Sequence, residues 1–495
     1  MGETVINAVT SFFEVGKLPS EVNSSLIVLI PKTDNPCSVN NYRRISLCNV
    51  VYKIISKLLV SKLRTVLHKF ISLCQSAFIH NRWIVENQVI VQEMLHSFKA
   101  RKIKEGLIAI KLDFQKAYDR VNWSFIKVVL IKFGFNDVFV NWIMECITSM
   151  SFEVLINGGK SEHFKPERGL RQGDPLSIYI FILRQEFLSR LLEKEFRHHN
   201  ISGVKASVRG PAIMHVMYAD EIVLFSKACR RKATTINCRE IWCVNLVCFS
   251  GVFFSKHCQK QKCREIKQIL QMKGLKKDSI YLGAPLFLSK APLKDFKFLQ
   301  DRLEARLMGW HSKCLSWVGR STLIKSVAQA IPTYSMSTFN IPDKICDKLD
   351  AATKRFWWRP KKSERRFIAW RAWDKLCQPK CQGGLGFKKA KDVNQALLAK
   401  LAWMIASKRD GLCMRILREK YKFRNDWLRK NPSKRASLVW KAIEGAKKII
   451  VEGACYLIGD GASVNAWIDP WIPWVQGFKP KPKDESIIQN PLMVS

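Results

Sequence analysis

Three acidic residues lie within or at the end of apolar segments, where a charged side chain is unfavourable unless it has a partner. Asp113 ends the mostly apolar run 107–112, and Asp220 and Glu221 interrupt a second apolar stretch. Because an unpaired buried charge is costly, such carboxylates are paired, hydrogen-bonded or bound to a cation. Carboxylates from two chain segments are suitable ligands for two Mg²⁺ ions that catalyse phosphoryl transfer. Asp is also common in hairpin turns, and the spacing alone slightly favours that simpler interpretation.

The segments around these carboxylates alternate between strand and helix patterns. Apolar runs bounded by turn residues predict strands at 25–30, at 107–113 and on both sides of Asp220, and a hairpin at 151–159. Apolar residues at helical spacing predict helices over about 1–16, 49–70, 84–98, 118–134 and 176–196. Strands interleaved with helices indicate an α+β fold, and the pattern after Pro285 is mostly helical.

A glycine-containing loop at 168–175 lies between the two carboxylate segments. It combines Arg, Gln and a turn-forming Pro with two glycines. Because glycine has no side chain, such a loop can bring the backbone close to a nucleotide. The loop therefore adds a nucleotide-binding element to the possible metal site.

The charge of the chain points to a polyanionic partner. The 495 residues include 83 Lys and Arg against 41 Asp and Glu, a formal net charge of +42. A field of that sign concentrates nucleic acid, although membrane-surface and ribosomal proteins are also basic. The basic residues are spread through apolar-rich segments, which favours a folded protein with a basic groove. The apolar runs predict no transmembrane helix, and the N-terminus has no secretory pattern.

The 16 Cys residues are scattered singly along the chain. The nearest approach to a cluster is Cys243, Cys248, Cys258 and Cys263, with His257 beside them. Their spacing differs from the two-residue spacing of zinc knuckles. Reduced intracellular thiols are therefore the favoured interpretation.

An ordered series of motifs resembles a known family. Residues 112–121 (LDFQKAYDRV) resemble the first catalytic motif of the reverse transcriptases of non-LTR (LINE-type) retrotransposons, and residues 168–177 (RGLRQGDPLS) resemble the second. Residues 218–221 (YADE) stand where the family has an aromatic residue, Ala and two Asp. Further matches are 29–32, 41–47 and 75–79 for the fingers, 281–286 for the primer grip, and 319–320, 331–332, 356–358, 379–380 and 383–387 for the region after the thumb in plant copies.

The resemblance implies an α+β right-hand polymerase with fingers, a palm with an antiparallel sheet, a helical thumb and a mostly helical C-terminal region. The expected limits are 1–100 for the fingers, 101–286 for the palm with a fingers insertion (domain core about 25–286), 287–400 for the thumb and connection, and 401–495 for a basic, Trp-rich region. The implied reaction is RNA-templated DNA synthesis by two-metal nucleotidyl transfer with Mg²⁺, or alternatively Mn²⁺. The implied partners are an RNA template, a DNA primer and deoxynucleotides, without a membrane. The implied location is the nucleus, with the cytoplasm as the alternative.

The resemblance also implies roles for individual residues. Asp113, Asp220 and Glu221 correspond to the catalytic carboxylates and metal ligands. Glu221 replaces the second Asp of the family, and its extra methylene moves the carboxylate by roughly 1.5 Å. Metal sites tolerate displacements of only roughly 0.5 Å, so this substitution makes a loss of activity plausible.

Five further residues correspond to nucleotide-binding positions. Lys32 and Arg43 would hold the triphosphate, Lys as a point charge and Arg as a bidentate fork. Tyr118 matches the aromatic steric gate that excludes a ribose 2′-hydroxyl, with a core aromatic as the alternative. Gln172 and Gly173 would lie against the nucleotide and template base, so a larger residue at 173 should block that approach. Lys32 has an equally plausible role as a solvated surface base.

A basic and aromatic segment in the C-terminal half suits a nucleic-acid surface. The candidate phosphate-binding residues are Lys354, Arg355, Arg359, Lys361 and Lys362. The alternative is an amphipathic helix whose aromatic residues belong to the core, and the Trp residues favour that alternative.

Other departures from the family pattern leave rival functions open. Arg44 replaces the family Pro after Arg43, which predicts a less rigid fingers turn. Cys248-Phe249-Ser250 replaces the usual Lys-Ser pair after Asn245, the source of a base for pyrophosphate departure. We expect a fragment of a larger element polyprotein without endonuclease, zinc-binding or ribonuclease H segments. The rivals are a non-catalytic nucleic-acid-binding relic and a maturase-like RNA-binding protein.

Overall fold

The computed structural model describes residues 2–33, 35–101, 103–114, 116–237, 251–311, 315–358, 368–423, 427–429, 435–462, 464–475, 477–480 and 492–494. The chain divides into two units, Met1–Leu282 and Gly283–Ser495. The expected limits of fingers, palm and thumb are finer than this division and stay predictions.

The first unit contains helices and strands in alternation. Its helices are α1 (Gly2–Val15), α2 (Val50–Phe70), α3 (Ile84–Ala100), α4 (Trp123–Lys132), α5 (Asp137–Thr148), α6 (Pro175–Arg197), α7 (Arg230–Ile236) and α8 (Lys260–Leu270). Its strands are β1 (Ser24–Pro31), β2 (Tyr42–Cys48), β3 (Leu107–Asp113), β4 (Ser151–Ile156), β5 (Gly159–Lys160), β6 (Val204–Lys205), β7 (Ala212–Ile213), β8 (His215–Tyr218), β9 (Glu221–Lys227), β10 (Gly251–Phe254), β11 (Lys273–Gly274) and β12 (Ile280–Tyr281). The predicted α+β class is confirmed, and the predicted strand 107–113 agrees residue for residue.

A five-stranded sheet positions the carboxylates. Its strand order is β11-β10-β3-β9-β8, so the strand that ends on Asp113 is central. Strands β10, β3, β9 and β8 pair antiparallel, whereas the edge strand β11 pairs parallel to β10. The expected antiparallel sheet is therefore present, with one parallel strand added at its edge. Strand β3 is buried along most of its length because helices cover the sheet.

A four-stranded sheet of order β2-β1-β4-β5 forms beside the second motif. Strands β1 and β2 pair antiparallel with Ile30 opposite Arg43, so their connection brings Lys32 and Arg43 to the same end of the hairpin. Strand β1 pairs parallel with β4, and β4 and β5 form the predicted hairpin.

Helix α6 begins at the second motif because Asp174 caps it. The Asp174 carboxylate accepts hydrogen bonds from the backbone N–H groups of Leu176 and Ser177, at 3.2 and 3.1 Å, and Pro175 occupies the first turn. An Asp cap followed by Pro is a strong helix-start signal. Helix α6 then packs against α2 in the core of the first unit.

The second unit is helical, as expected. It begins with strand β13 (Ala284–Pro285), and its helices are α9 (Pro292–Asp295), α10 (Lys297–His311), α11 (Trp317–Ser326), α12 (Thr333–Met336), α13 (Asp343–Trp358), α14 (Trp373–Cys377), α15 (Ala390–Ala406), α16 (Leu412–Tyr421), α17 (Leu438–Gly445) and α18 (Lys447–Gly453). Short 3₁₀ turns lie at 39–41 in the first unit and at 328–330, 380–382 and 427–429 in the second. Within the described ranges, no helix combines the length and apolar character that crossing a bilayer requires.

Candidate active site

The turn between β8 and β9 carries Asp220. Tyr218 pairs with Glu221, so Ala219 and Asp220 alone form the hairpin loop. Two-residue hairpin loops require positive φ, and Ala219 has φ 52°. A residue with a side chain in this region costs about 1–3 kcal/mol and persists only where the surroundings hold it. The sharp turn therefore depends on contacts from outside the hairpin.

Three buried amide side chains supply those contacts. Gln75 Oε1 accepts hydrogen bonds from the N–H groups of Ala77 and Ala219, at 3.0 and 3.1 Å. Asn87 Nδ2 donates to the Met217 carbonyl at 2.6 Å, and Gln185 Nε2 donates to the Ala219 carbonyl at 3.4 Å.

The segment before Ala77 also pairs with β8 through the Cys74 carbonyl and the Ser76 N–H. Sequence analysis assigned residues 75–79 to the fingers and gave no role to Asn87 or Gln185. Their role in holding the turn was missed, and the available signal was the presence of amides between apolar neighbours.

Asp113, Asp220 and Glu221 come together at the end of the sheet. Asp113 lies directly opposite Glu221 in the antiparallel register, so both side chains project from the same face. Burial, followed by repulsion from Asp113 and Glu221, raises the pKa of Asp220 to about 6. Burial raises the pKa of Asp113 as well, with repulsion from Glu221 adding and Lys111 opposing. The structure therefore brings these residues to one end of the sheet, and their catalytic role stays a prediction.

The Glu221 carboxylate has two partners of its own. Its Oε2 accepts a hydrogen bond from the Leu282 N–H at 3.1 Å. The same oxygen lies 3.5 Å from Lys111 Nζ. The Glu221 carboxylate is therefore held by a backbone N–H and by the Lys111 ammonium group.

The three carboxylates meet only part of what a divalent-cation site requires. Asp113 and Asp220 provide hard oxygen ligands whose repulsion a cation would relieve. Among the described residues, however, no group of three or more His, Cys, Asp and Glu side chains is placed to hold a metal ion. The two Asp residues fit the expected Mg²⁺. The Glu221 carboxylate instead contacts the Leu282 N–H and Lys111 Nζ.

Tyr118 lies between the sheet and helix α6. Its ring stacks on Phe181 with centroids 4.7 Å apart and an interplanar angle of 11°. Burial raises the pKa of the Tyr118 hydroxyl, and the Asp220 carboxylate raises it further, so the hydroxyl lies in the electrostatic field of that carboxylate. The side chain is half-buried and combines features of a packed aromatic and of a site residue. Its role as a steric gate stays a prediction.

The second-motif loop is joined to strand β2. The Gln172 carbonyl accepts a hydrogen bond from the Ser46 N–H at 2.7 Å. Gly173 has φ 113°, and a Cβ there would lie 3.0 Å from the Ser46 carbonyl oxygen. The protein itself therefore requires glycine at 173, independently of any nucleotide.

Two buried charged side chains flank this loop. The Arg171 guanidinium stacks over the Tyr52 ring at 4.3 Å and donates to the Asn23 carbonyl at 2.8 Å. On the other side, Asp174 accepts from the Tyr52 and Ser56 hydroxyls in addition to its helix-capping bonds. The Gln172-Gly173 backbone is consequently held at both ends. Sequence analysis treated Arg171 and Asp174 only as members of the motif.

The predicted triphosphate-binding residues lie at the exposed end of the β1–β2 hairpin. Lys32 is exposed and its Nζ donates to the Asn40 carbonyl at 3.0 Å, and Arg43 is exposed. Arg44 forms an ion pair with Asp119, the residue after Tyr118. The Arg that replaces the family Pro thus links the β1–β2 hairpin to the first motif, which sequence reasoning did not anticipate.

The predicted nucleic-acid-binding segment belongs to the second unit. Lys354 is half-buried and Arg355 is exposed on helix α13, whereas Phe356 and Trp357 of the same helix are buried. For these two rings the structure favours the core interpretation. Arg359, Lys361 and Lys362 lie outside the described residues, and the Asn245 and Cys248 positions do as well.

A central strand and an adjacent hairpin bring the carboxylates together in a mainly antiparallel sheet, the arrangement expected of a palm. Residues 30–269 match the reverse transcriptase (RNA-dependent DNA polymerase) family. The matched region is therefore a reverse transcriptase domain, and the resemblance to non-LTR retrotransposon reverse transcriptases is confirmed.

Three relatives illustrate the match. The putative ribonuclease H protein At1g65750 of Arabidopsis thaliana is 34% identical over 37% of this chain and 30% of its own length. The uncharacterized mitochondrial protein AtMg00310 of A. thaliana is 37% identical over 29% of this chain and 93% of its own length. The transposon TX1 uncharacterized 149 kDa protein of Xenopus laevis is 25% identical over 72% of this chain and 27% of its own length.

This chain thus spans less than a third of the length of At1g65750 and of the TX1 protein. Among solved structures, telomerase from Candida tropicalis with a telomeric RNA fragment matches at 13% identity and a TM-score of 0.41, over 87% of this chain and 68% of that chain.

Proposed function

We propose that this protein extends a DNA primer on an RNA template by nucleotidyl transfer at Asp113 and Asp220. The observation that carries the proposal is the paired placement of these carboxylates within a sheet that belongs to the reverse transcriptase family. Two half-buried carboxylates with raised pKa values need a cation to share the site in their ionised forms. That requirement matches phosphoryl transfer better than an ordinary hairpin turn.

Each of the predicted site residues would have its own role in the reaction. Asp113 and Asp220 would hold Mg²⁺, which when bound activates the primer 3′-hydroxyl and stabilises the pyrophosphate leaving group. Lys32 and Arg43 would contact the triphosphate from the β1–β2 hairpin. The Gln172-Gly173 backbone would support the nucleotide and template base, and Tyr118 would exclude a 2′-hydroxyl.

Primer extension tests the proposal. The full chain is incubated with Mg²⁺, deoxynucleotides and a DNA primer annealed to RNA, beside Asp113→Asn and Asp220→Asn variants. We expect product from the wild type and a loss of at least about a hundredfold in each variant, because each variant removes an ionised metal ligand. Product that survives both substitutions at the wild-type rate would exclude this site.

A catalytically impaired nucleic-acid-binding relic is the second candidate. The observation in its favour is that Lys111 and the Leu282 N–H engage the Glu221 carboxylate. In this case the wild type binds primer–template but yields no product, and Glu221→Asp restores extension. Product from the wild type at a rate comparable with that of Glu221→Asp contradicts the relic.

The proposed location is the nucleus, where an element of this family copies RNA at a genomic target. A fluorescent fusion of the full chain tests it, with a mitochondrial marker as the comparison. Exclusive overlap with the mitochondrial marker would overturn the proposal.

A further inference from the structure

We infer that Glu221 is a positioning residue that fastens Leu282, at the start of the segment that resembles the primer grip, to the palm sheet. The inference deepens the proposed function and rests on it only for the consequence at the primer end. The tether itself is a property of the folded chain without nucleotide or metal.

Both contacts of the Glu221 carboxylate are made through one oxygen. Oε2 accepts from the Leu282 N–H at 3.1 Å and lies 3.5 Å from Lys111 Nζ. The Lys111 side chain is 15% exposed and the Glu221 side chain 26%, so the pair is partly shielded from water. A backbone N–H that donates to a carboxylate makes a stronger hydrogen bond than one that donates to a neutral oxygen.

Leu282 has a backbone conformation that needs such support. Its φ is 49°, in the left-handed region that residues with side chains seldom adopt. The preceding residue, Tyr281, is fully buried. A strained residue keeps its conformation where neighbouring contacts determine it, and the Leu282 N–H is the group that Glu221 holds.

The reach of the side chain distinguishes Glu from the family Asp. Shortening residue 221 by one methylene withdraws the carboxylate by roughly 1.5 Å, which takes a 3.1 Å bond beyond hydrogen-bonding distance. Gln has the length of Glu and an acceptor oxygen, so it can keep the bond to Leu282 without the charge. The tether therefore depends on length, whereas metal binding depends on charge.

The position of Glu221 gives the tether a consequence for function. Glu221 directly follows Asp220 and pairs with Asp113 across the sheet. A bond from this residue to Leu282 sets the spacing between the carboxylate turn and residues 281–282. We expect this spacing to set where the primer 3′ end lies relative to Asp220.

Hydrogen exchange of the Leu282 amide tests the tether directly. The full chain is compared with Glu221→Gln and Glu221→Asp in EDTA without nucleic acid, with thermal melting to establish that each variant is folded. We expect wild-type protection in Glu221→Gln and exchange at least about tenfold faster in Glu221→Asp. Asp113→Asn is the matched control, since it removes the neighbouring carboxylate but leaves Leu282 protected.

A primer with 2-aminopurine at its 3′ end supplies the second readout. Annealed to RNA and bound in EDTA, it should fluoresce alike with the wild type and Glu221→Gln, and differently with Glu221→Asp. Protection of Leu282 in Glu221→Asp equal to the wild type, or its loss in Glu221→Gln, would overturn the tether. Neither measurement requires catalysis, so a failure of the proposed activity is a separate outcome.

Discussion

At the scale of single residues, the site depends on buried polar side chains that bind the backbone around the carboxylate turn. Gln75 is 1% exposed, and its single side-chain oxygen accepts from both the Ala77 and the Ala219 N–H groups. Removing an acceptor from two buried donors costs more than the bonds contribute, since each donor keeps its desolvation penalty. Residues outside the catalytic motifs therefore control the geometry of Asp220.

Gln75→Leu should lower the free energy of unfolding by about 2–4 kcal/mol, because it leaves two buried N–H groups without an acceptor. Urea denaturation measures the change. The matched control is Gln259→Leu, an exposed position whose side chain makes no capping bond, where the change should stay within about 0.5 kcal/mol. Equal effects at the two positions would contradict the proposed support of the turn.

His215 should make stability depend on pH in a defined window. The ring is 1% exposed, the Ser189 hydroxyl lies 2.8 Å from its Nε2, and burial lowers its pKa from 6.5 to about 4. Between these pH values the unfolded chain binds a proton that the native protein does not bind. The contribution of His215 to the free energy of unfolding is therefore at its maximum above pH 6.5. It decreases as the pH drops, by about 3 kcal/mol in total.

The measurement is the difference in unfolding free energy between the wild type and His215→Gln from pH 7 to pH 4. A difference is required because half-buried carboxyls with raised pKa values, such as Asp220 and Asp350, contribute with the opposite sign in this range. A difference that is constant across the window would show that His215 does not titrate as proposed.

At the scale of elements, the junction between the second-motif loop and strand β2 is the most constrained contact of the site. Gly173 combines a φ of 113° with a carbonyl oxygen 3.0 Å from the position of a Cβ. The loop is also held by the Ser46 N–H and by the cap residue Asp174. A side chain at 173 thus disturbs the protein before it meets a nucleotide.

Gly173→Ala should destabilise the protein by about 3 kcal/mol, from backbone strain together with overpacking against Ser46. Gly158→Ala is the matched control because Gly158 has φ 87° and open space around the Cβ position. Strain alone should cost about 1 kcal/mol there. Thermal or urea unfolding of the two variants measures the contrast, and equal losses would show that the Ser46 contact adds nothing.

At the scale of the whole molecule, the two units have separate internal supports. In the second unit, Asn394 is 2% exposed and accepts from the Ile341 N–H while donating to the Met336 and Phe339 carbonyls, at 2.7 to 2.8 Å. One buried amide thus satisfies three backbone groups of the connection between helices α12 and α13. No comparable dependence of the first unit on Asn394 is expected.

Asn394→Ala should lower the stability of the second unit by about 3 kcal/mol and leave the first unit unchanged. Hydrogen exchange resolved by peptide, measured at increasing urea, reports the units separately. Gln395→Ala, an exposed neighbour on the same helix, is the control and should be close to neutral. Loss of protection in both units together would mean that they unfold as one cooperative body.

The local sequence determined the elements and the identity of the site. The strand 107–113, the helix after the loop 168–175 and the turn at Ala219-Asp220 follow from apolar periodicity, a turn-forming Pro and a break between two apolar runs. These signals act over a few residues, so they are readable without a structure. The motif order likewise identified the family before the carboxylates were located in space.

Only the tertiary structure decided how the site is held and what Glu221 contacts. The bond to Leu282, the support of Ala219 by Gln75 and the pairing of Arg44 with Asp119 join residues 61, 144 and 75 positions apart. Such contacts depend on where separate elements meet and leave no periodic trace in the chain. The sequence therefore showed that Glu221 departs from its family, whereas the fold showed that its extra methylene reaches a backbone N–H that Asp would leave unbonded.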